Sequence, residues 1–269
     1  VKRVLITFSG ARFHDTTARI VQDGPKLGAD EVLVYDDNWL RDTKHWGDTN
    51  HLIYPGNRGV NWFCWKPYII LDALSRVPED AIVFYTDGDT YPVHDLSVLY
   101  DITARESIML FMANGWPHQR VWCKRACFKL MNQDEPRYYE AHCGCARFMG
   151  FTRQQRDFLN VWLGYCMMRD CTTFDVDPKY GPELAGFREH RCEQAIMTNL
   201  AHKYGQRLYR ECDDSGEKIW PDNGGKVEAF YDMARDRDLY PQLFQQVWGN
   251  SYAPGVESDT GQGSVFRNV

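Results

Sequence analysis

The run from Ala81 to Tyr85 is apolar without interruption, and it stops at two carboxylates one residue apart, Asp87 and Asp89, with Gly88 between them. A run of this length and character predicts a strand buried on both faces of an open α/β sheet, where ligands bind beyond the strands' carboxyl ends. The expected fold class is therefore α/β, a mixed and mostly parallel central sheet flanked by helices. On an extended backbone residues i and i+2 point the same way, so Asp87 and Asp89 converge and Gly88 leaves room for a ligand's close approach. Two hard oxygen donors aimed at one point suit a divalent cation, Mn²⁺ or Mg²⁺. The alternative is an ordinary turn, which Asp and Gly also favour.

Apolar runs alternate with helical patterns from Val4 to about Tyr209, and no linker or repeat divides the 269 residues, so one domain over 1–269 is expected. The net charge of −6 and the lack of a Lys/Arg stripe argue against a nucleic-acid partner. No stretch approaches the roughly 18 apolar residues that span a bilayer, and the first strand begins without a signal peptide, so a cytoplasmic location is expected. Nine cysteines scattered through apolar segments read as reduced, buried thiols. A zinc site built from His142, Cys143, Cys145, Cys123 and Cys127 is the alternative, with spacings that match no standard knuckle.

In chain order, Val4–Gly10 reads as a strand, Thr16–Gln22 as a helix and Glu31–Tyr35 as a second strand. This βαβ opening lacks the Gly-x-Gly-x-x-Gly fingerprint, which disfavours a dinucleotide. Thr7, Ser9 and Asp36 stand at strand ends, where they would either hold a base or ribose or cap turns. Pro67 fits the first turn of a helix that ends near Pro78. Arg58, Trp65 and Lys66 come just before or within its start, where cations would suit a diphosphate; the other reading is an aromatic core with two solvated charges.

Ser107–Met112 predicts another strand, with Trp116 and His118 in the loop at its carboxyl end. Val121–Met131 predicts a helix, Cys143–Gly150 a strand, and Thr152–Gln155 a capping box opening a helix with Phe158, Leu159, Trp162 and Cys166 inside. The long loop from Cys171 to Arg188 is a candidate for mobile substrate-binding structure. A last helix beginning around Glu189 and closing at Gly205 puts Glu193, Ile196, Met197, Leu200 and Tyr204 on one face. An inward carboxylate needs a partner, which marks Glu193 and Gln194 as candidate catalytic residues. The tail from about Gly249 is polar and reads as mobile or draped on the surface.

Taken together, Asp87-Gly88-Asp89, the Trp65-Lys66-Pro67 helix before it, the Gly144–Gly150 segment and His190-Arg191-Cys192-Glu193-Gln194 resemble nucleotide-sugar glycosyltransferases of the GT-A (Rossmann-like) fold. The likeness is to bacterial and viral members with a Trp-Lys-Pro helix, and it covers roughly residues 1 to 210. It implies a metal-dependent transfer from a nucleoside-diphosphate sugar, a UDP- or GDP-sugar, to a glycan or glycoconjugate acceptor. It assigns Asp89 as a direct metal ligand and Asp87 to metal or ribose. Thr7, Ser9, Asp36, Arg58, Trp65, Lys66 and Gly88 become the donor side, and Trp116, His118, His190 and Arg191 the acceptor or sugar side.

The acid-and-amide pair of retaining members maps onto Glu193-Gln194, while in an inverting enzyme Glu193 would be the general base. Many members add a metal-ligating His near the C-terminus; here the only His beyond Gln194 is His202, and His190, Asp213 or Asp214 would have to substitute. Two other readings stay open. Asp87-Gly88-Asp89-Thr90 also resembles the Asp-x-Asp-x-Thr motif of haloacid-dehalogenase-like phosphotransferases. A non-catalytic nucleotide-sugar-binding module is the third.

Overall fold

A computed structural model describes residues 1–10, 13–52, 60–113, 115–116, 118–212 and 243–247. Among them are eight strands: β1 (Arg3–Ser9), β2 (Glu31–Asp36), β3 (Ile82–Thr86), β4 (Thr90–Pro92), β5 (Ile108–Met112), β6 (Gly144–Thr152), β7 (Leu208–Tyr209) and β8 (Phe244–Gln246). Six form one sheet in the order β2-β1-β3-β6-β5-β7, and β4 pairs with β8 in a second. Within the large sheet only β6 runs against the other five strands. The mixed, mostly parallel architecture is the one expected from the Ala81–Tyr85 run.

Every residue of β3 is buried, because the sheet is covered on both sides. Successive side chains alternate between the faces. Val4, Ile6, Phe8, Val83 and Tyr85 pack with helices α2 (Trp65–Arg76), α4 (Arg156–Cys166) and α5 (Cys192–Lys203). Leu5, Ile82 and Phe84 pack on the other face with α1 (His14–Asp23) and α3 (Ser97–Glu106). The close fit of α3 on β6 depends on Gly150, where a Cβ would stand 2.2 Å from Thr103 Oγ1. All nine cysteines are free thiols and buried.

Several local expectations need correction. The helix predicted over Val121–Met131 is two short helices, Gln119–Trp122 and Arg125–Leu130, because Cys123 and Lys124 take extended backbone. Lys124 is fully buried and donates from Nζ to the carbonyls of Thr173 (2.6 Å) and Asp175 (3.0 Å), which draws the chain out of helical geometry there. Thr152 caps nothing with its side chain; its hydroxyl donates to the Ser107 carbonyl across the β5/β6 end instead. Tyr204 is 51% exposed at the end of α5 rather than inside. The loop from Cys171 to Arg188 is tied down, with Asp175 paired to Arg169 and Glu183 accepting from the Arg125 amide. Arg58, Asp213, Asp214 and the tail from Gly249 lie outside the described residues.

Candidate active site at the end of β3

The site is assembled around Lys66, in the first turn of α2. Its Nζ lies 2.9 Å from Asp87 Oδ1 and 3.2 Å from Glu193 Oε1, and it donates to the Ala146 carbonyl at 3.1 Å. The Lys66 and Glu193 side chains are 6% and 5% exposed. Burial works to lower the Lys66 pKa, but Asp87 and Glu193 outweigh it and hold the ammonium above its ordinary value, fully protonated. The rings of Phe63 and Tyr85 stand 5.4 and 5.5 Å from Nζ. Lys66 thus neither floats as a solvated charge nor points at open crevice; it joins the carboxylate at the end of β3 to the carboxylate at the start of α5.

Glu193 reaches this position through a strained turn. Cys192 has φ of 44°, in the left-handed region, immediately before Glu193. The chain preceding α2 is strained too: Asn61, Trp62 and Phe63 have φ of 53°, 57° and 59°, held by the Trp62 indole donating to the Leu52 carbonyl at 2.8 Å. Non-glycine residues in this region each cost about 1–2 kcal/mol, and such strain collects at functional sites.

The Tyr85 phenol also donates to Asp87 Oδ1, and burial followed by the charge of Asp87 keeps that phenol protonated. Both of Asp87's side-chain contacts among the described residues therefore fall on Oδ1, which turns Oδ2 away from them. Asp89 is more enclosed. Its Oδ1 accepts from Thr90 Oγ1 at 2.8 Å, and its Oδ2 accepts from Gln246 Nε2 at 3.1 Å. Burial, then the nearby charge of Asp87, pushes the Asp89 carboxyl above the ordinary carboxylate range. Asp87 and Asp89 stand in a turn rather than on the extended backbone expected, with the Thr90 amide donating to the Asp87 carbonyl at 3.1 Å. Two hard-oxygen carboxylates near enough for the charge of one to act on the other are the donor chemistry that Mn²⁺ or Mg²⁺ would take. Among the described residues no cluster of three or more His, Cys, Asp or Glu side chains is placed to hold a metal, which also leaves the zinc reading of His142, Cys143, Cys145, Cys123 and Cys127 without a site.

Gly88 is required for a reason other than the one expected. A Cβ there would stand 2.4 Å from the carbonyl oxygen of Phe8, so the glycine admits the backbone of β1 rather than a ligand. Trp65 is a core residue, 4% exposed and stacked on Phe8 with ring centroids 4.0 Å apart. Thr7 is fully enclosed within β1, and Ser9, at its end beside Asp36, is 7% exposed. Asp36 caps the short helix Asp37–Arg41 by accepting from the Trp39 amide at 2.7 Å, the turn-capping alternative.

Trp116 stacks on Trp122 at 4.3 Å, and the guanidinium of Arg191, two positions before Glu193, lies 4.2 Å from the Trp116 ring centre while its Nε sits 2.6 Å from Glu189 Oε1. His118 pairs with Glu140 at 3.2 Å. Gln194 is half-buried, and its carbonyl accepts from Thr198 Oγ1. His190 departs from its expected role. It is 1% exposed, with Nε2 bonded to the Cys171 carbonyl at 2.8 Å and Nδ1 accepting from the Lys124 amide at 3.3 Å, so both ring nitrogens are committed to the core.

Sequence reading missed Tyr85, Arg147, Glu211 and Gln246. Arg147 pairs with Glu211 at 2.8 Å and donates to Gln246 Oε1, and its carbonyl accepts from the Asp87 amide at 3.0 Å. The only available signal was the β6 pattern, in which Arg147 interrupts an apolar strand.

No family model matches the chain, and no curated protein does. Solved structures do. The bifunctional glycosyltransferase WbbM, in its apo structure, aligns with a TM-score of 0.51 at 10% identity, covering 92% of this chain and 46% of that one. The galactosyltransferase LgtC, solved with donor and acceptor sugar analogues, aligns with a TM-score of 0.50 at 11% identity over 92% of this chain and 87% of that one. Mouse xyloside xylosyltransferase 1 gives 0.48 at 13% identity over 94% and 100%. At such identities the likeness is one of fold, and the fold is that of the GT-A glycosyltransferases.

Proposed function

We propose that this chain is a metal-dependent glycosyltransferase that moves a sugar from a nucleoside-diphosphate sugar to a glycan or glycoconjugate acceptor. The observation that carries the reading is the buried Lys66 ammonium joining Asp87 to Glu193, since it brings a candidate metal carboxylate and a candidate catalytic carboxylate to one point at the crevice end of β3. Asp89 and the Oδ2 side of Asp87 are the residues to hold Mn²⁺ or Mg²⁺. A cation there neutralises the negative charge that grows on the departing diphosphate.

Glu193, with the Lys66 ammonium 3.2 Å away as its counter-ion, is the carboxylate to stand beside the sugar's reacting carbon, where an anion stabilises the positive charge that develops as the glycosidic bond breaks. A carboxylate paired at 3.2 Å with an ammonium is a weak proton acceptor, which favours retention, with Gln194 beside it, over general-base inversion. The Trp116–Trp122 stack with Arg191 over it offers aromatic and charged surface for the acceptor, with His118 nearby. Ser9 and Asp36, at the ends of β1 and β2, remain the donor-side candidates for base and ribose.

The phosphotransferase alternative has its carboxylate pair after the first strand of a domain, whereas here the pair follows β3 with α2 before it. A thermal-shift series with UDP, GDP, CMP, dTDP and ADP, each with and without Mn²⁺, tests the reading. One nucleoside diphosphate at about a hundred times its Kd adds roughly 2.7 kcal/mol, and only when Mn²⁺ is present. Asp89→Ala abolishes the metal-dependent part. Stabilisation by a phosphate mimic with Mg²⁺, and by no nucleotide, would replace this reading with the phosphotransferase one.

A further inference from the structure

Asp89 is held by a segment 157 residues away in the chain. Strand β8 pairs antiparallel with β4 in the register Thr90↔Gln246, Tyr91↔Gln245 and Pro92↔Phe244. The Val247 amide donates to the Asp89 carbonyl at 2.9 Å, and the Val93 amide donates to the Leu243 carbonyl at 2.9 Å. Phe244 anchors the strand: it is fully buried, parallel to Phe84 with centroids 6.1 Å apart, and 4.9 Å from Phe148. The backbone of β8 is thereby fixed directly over the Asp87-Gly88-Asp89 turn.

The side chain of Gln246 then acts on the carboxylate itself. Its Oε1 accepts from Arg147, and its Nε2 donates to Asp89 Oδ2 at 3.1 Å. A guanidinium is only a donor, so Arg147 decides which end of the amide faces Asp89: the NH₂ end. Arg147 is in turn held by Glu211, whose side chain is 2% exposed. Its carbonyl accepts from the Asp87 amide at 3.0 Å, so one residue of β6 positions Asp87 through its backbone and Asp89 through Gln246. With Thr90 on Oδ1 and Gln246 on Oδ2, both oxygens of the Asp89 carboxylate are held, and each keeps a lone pair for a cation.

We propose that Gln246 is a positioning residue for a divalent cation held by Asp87 and Asp89, and that β8 is a strap whose docking is coupled to cation occupancy. The proposal rests on the cation reading given above. Partners that orient a ligating group typically contribute 10–100-fold in metal affinity. Coupling of two equilibria is reciprocal, so a cation favoured by the docked strap must also favour docking.

The test is Mn²⁺ binding to the full chain without nucleotide, read as free Mn²⁺ by electron paramagnetic resonance, together with hydrogen exchange across residues 243–247. Gln246→Met keeps the length of the side chain and removes the donor; Gln246→Ala removes both. Both are expected to weaken Mn²⁺ binding by about 10–100-fold with urea midpoints close to the parent's. In the parent, Mn²⁺ slows exchange at the Val247 amide, and in both variants that slowing is lost. Parent-like Mn²⁺ affinity in Gln246→Met, or exchange at Val247 indifferent to Mn²⁺ in the parent, overturns the proposal. If the parent itself binds no Mn²⁺, the cation reading fails first and the strap role falls with it, an outcome told apart because the flat titration is then the parent's own.

Discussion

Lys66 Nζ and Glu193 Oε1 lie 3.2 Å apart with both side chains almost wholly removed from solvent, and the same ammonium serves Asp87 at 2.9 Å. Removing one partner of a buried ion pair leaves the other charge uncompensated, a loss on the order of 3–5 kcal/mol. Lys66→Met is expected to lower stability by about that amount, measured from urea midpoints. Adding Glu193→Gln to Lys66→Met removes one of the stranded charges, so the double variant should be less destabilised than the sum of the two singles. A Lys66→Met variant within about 1 kcal/mol of the parent, or strict additivity, would show that the pair is not coupled as its geometry requires.

Gly88 carries a different kind of constraint. Its missing Cβ makes room for the Phe8 carbonyl, a backbone atom of β1 that is paired into the sheet and has no rotamer to change. Forcing extra atoms into such a place typically costs 1–3 kcal/mol, occasionally more. Gly88→Ala is therefore expected to lower the urea midpoint by the equivalent of about 3 kcal/mol and to weaken Mn²⁺ binding, because the turn that brings Asp87 and Asp89 together has to shift away from β1. A variant that keeps stability but loses nucleotide affinity would point instead to a ligand passing close to Gly88.

What the sequence made legible follows from range. Alternation and uninterrupted apolar runs are local, so β1, β2, β3, β5 and the helices carrying Lys66 and Glu193 could be placed, and the inward direction of Glu193 followed from its spacing to Ile196 and Leu200. The partner of that carboxylate was not legible, because Lys66 is 127 positions earlier and only the packing of both α2 and α5 on α4 brings it across. The same holds for Gln246 on Asp89. Residues named for their chemistry alone were the least legible: His190 and Trp65 are buried in the core, and Asp36 caps a helix with one carboxylate oxygen, structural uses that the same side chains serve equally well. Lys124 split a helix that periodicity predicted whole, since a buried ammonium follows its hydrogen-bond acceptors rather than local propensity.

The buried imidazole of His190 gives the pH dependence of the fold a defined sign. Burial lowers its pKa from the usual 6.5 to about 4. Burial favours the neutral form, and the nearby Lys124 ammonium adds to it, against Cys127 and the Cys171 carbonyl bonded to Nε2, which favour the proton without reversing the shift; Nδ1 accepts from the Lys124 amide. Between pH 6.5 and about 4 the unfolded chain binds a proton that the folded chain refuses, so stability rises with pH across this window and is lost as pH falls through it. A difference of this size corresponds to about 3 kcal/mol when the window has been fully crossed. Buried His45, also lowered to about 4 by burial, acts in the same direction. In His190→Gln the amide can donate to the Cys171 carbonyl without a titratable proton. The urea midpoint of the parent should therefore fall more steeply than the variant's between pH 6.5 and 4, with the two curves parallel above pH 7. Curves parallel throughout would mean that His190 takes up its proton in the folded state as readily as in the unfolded one, against the committed hydrogen bonds of both its nitrogens.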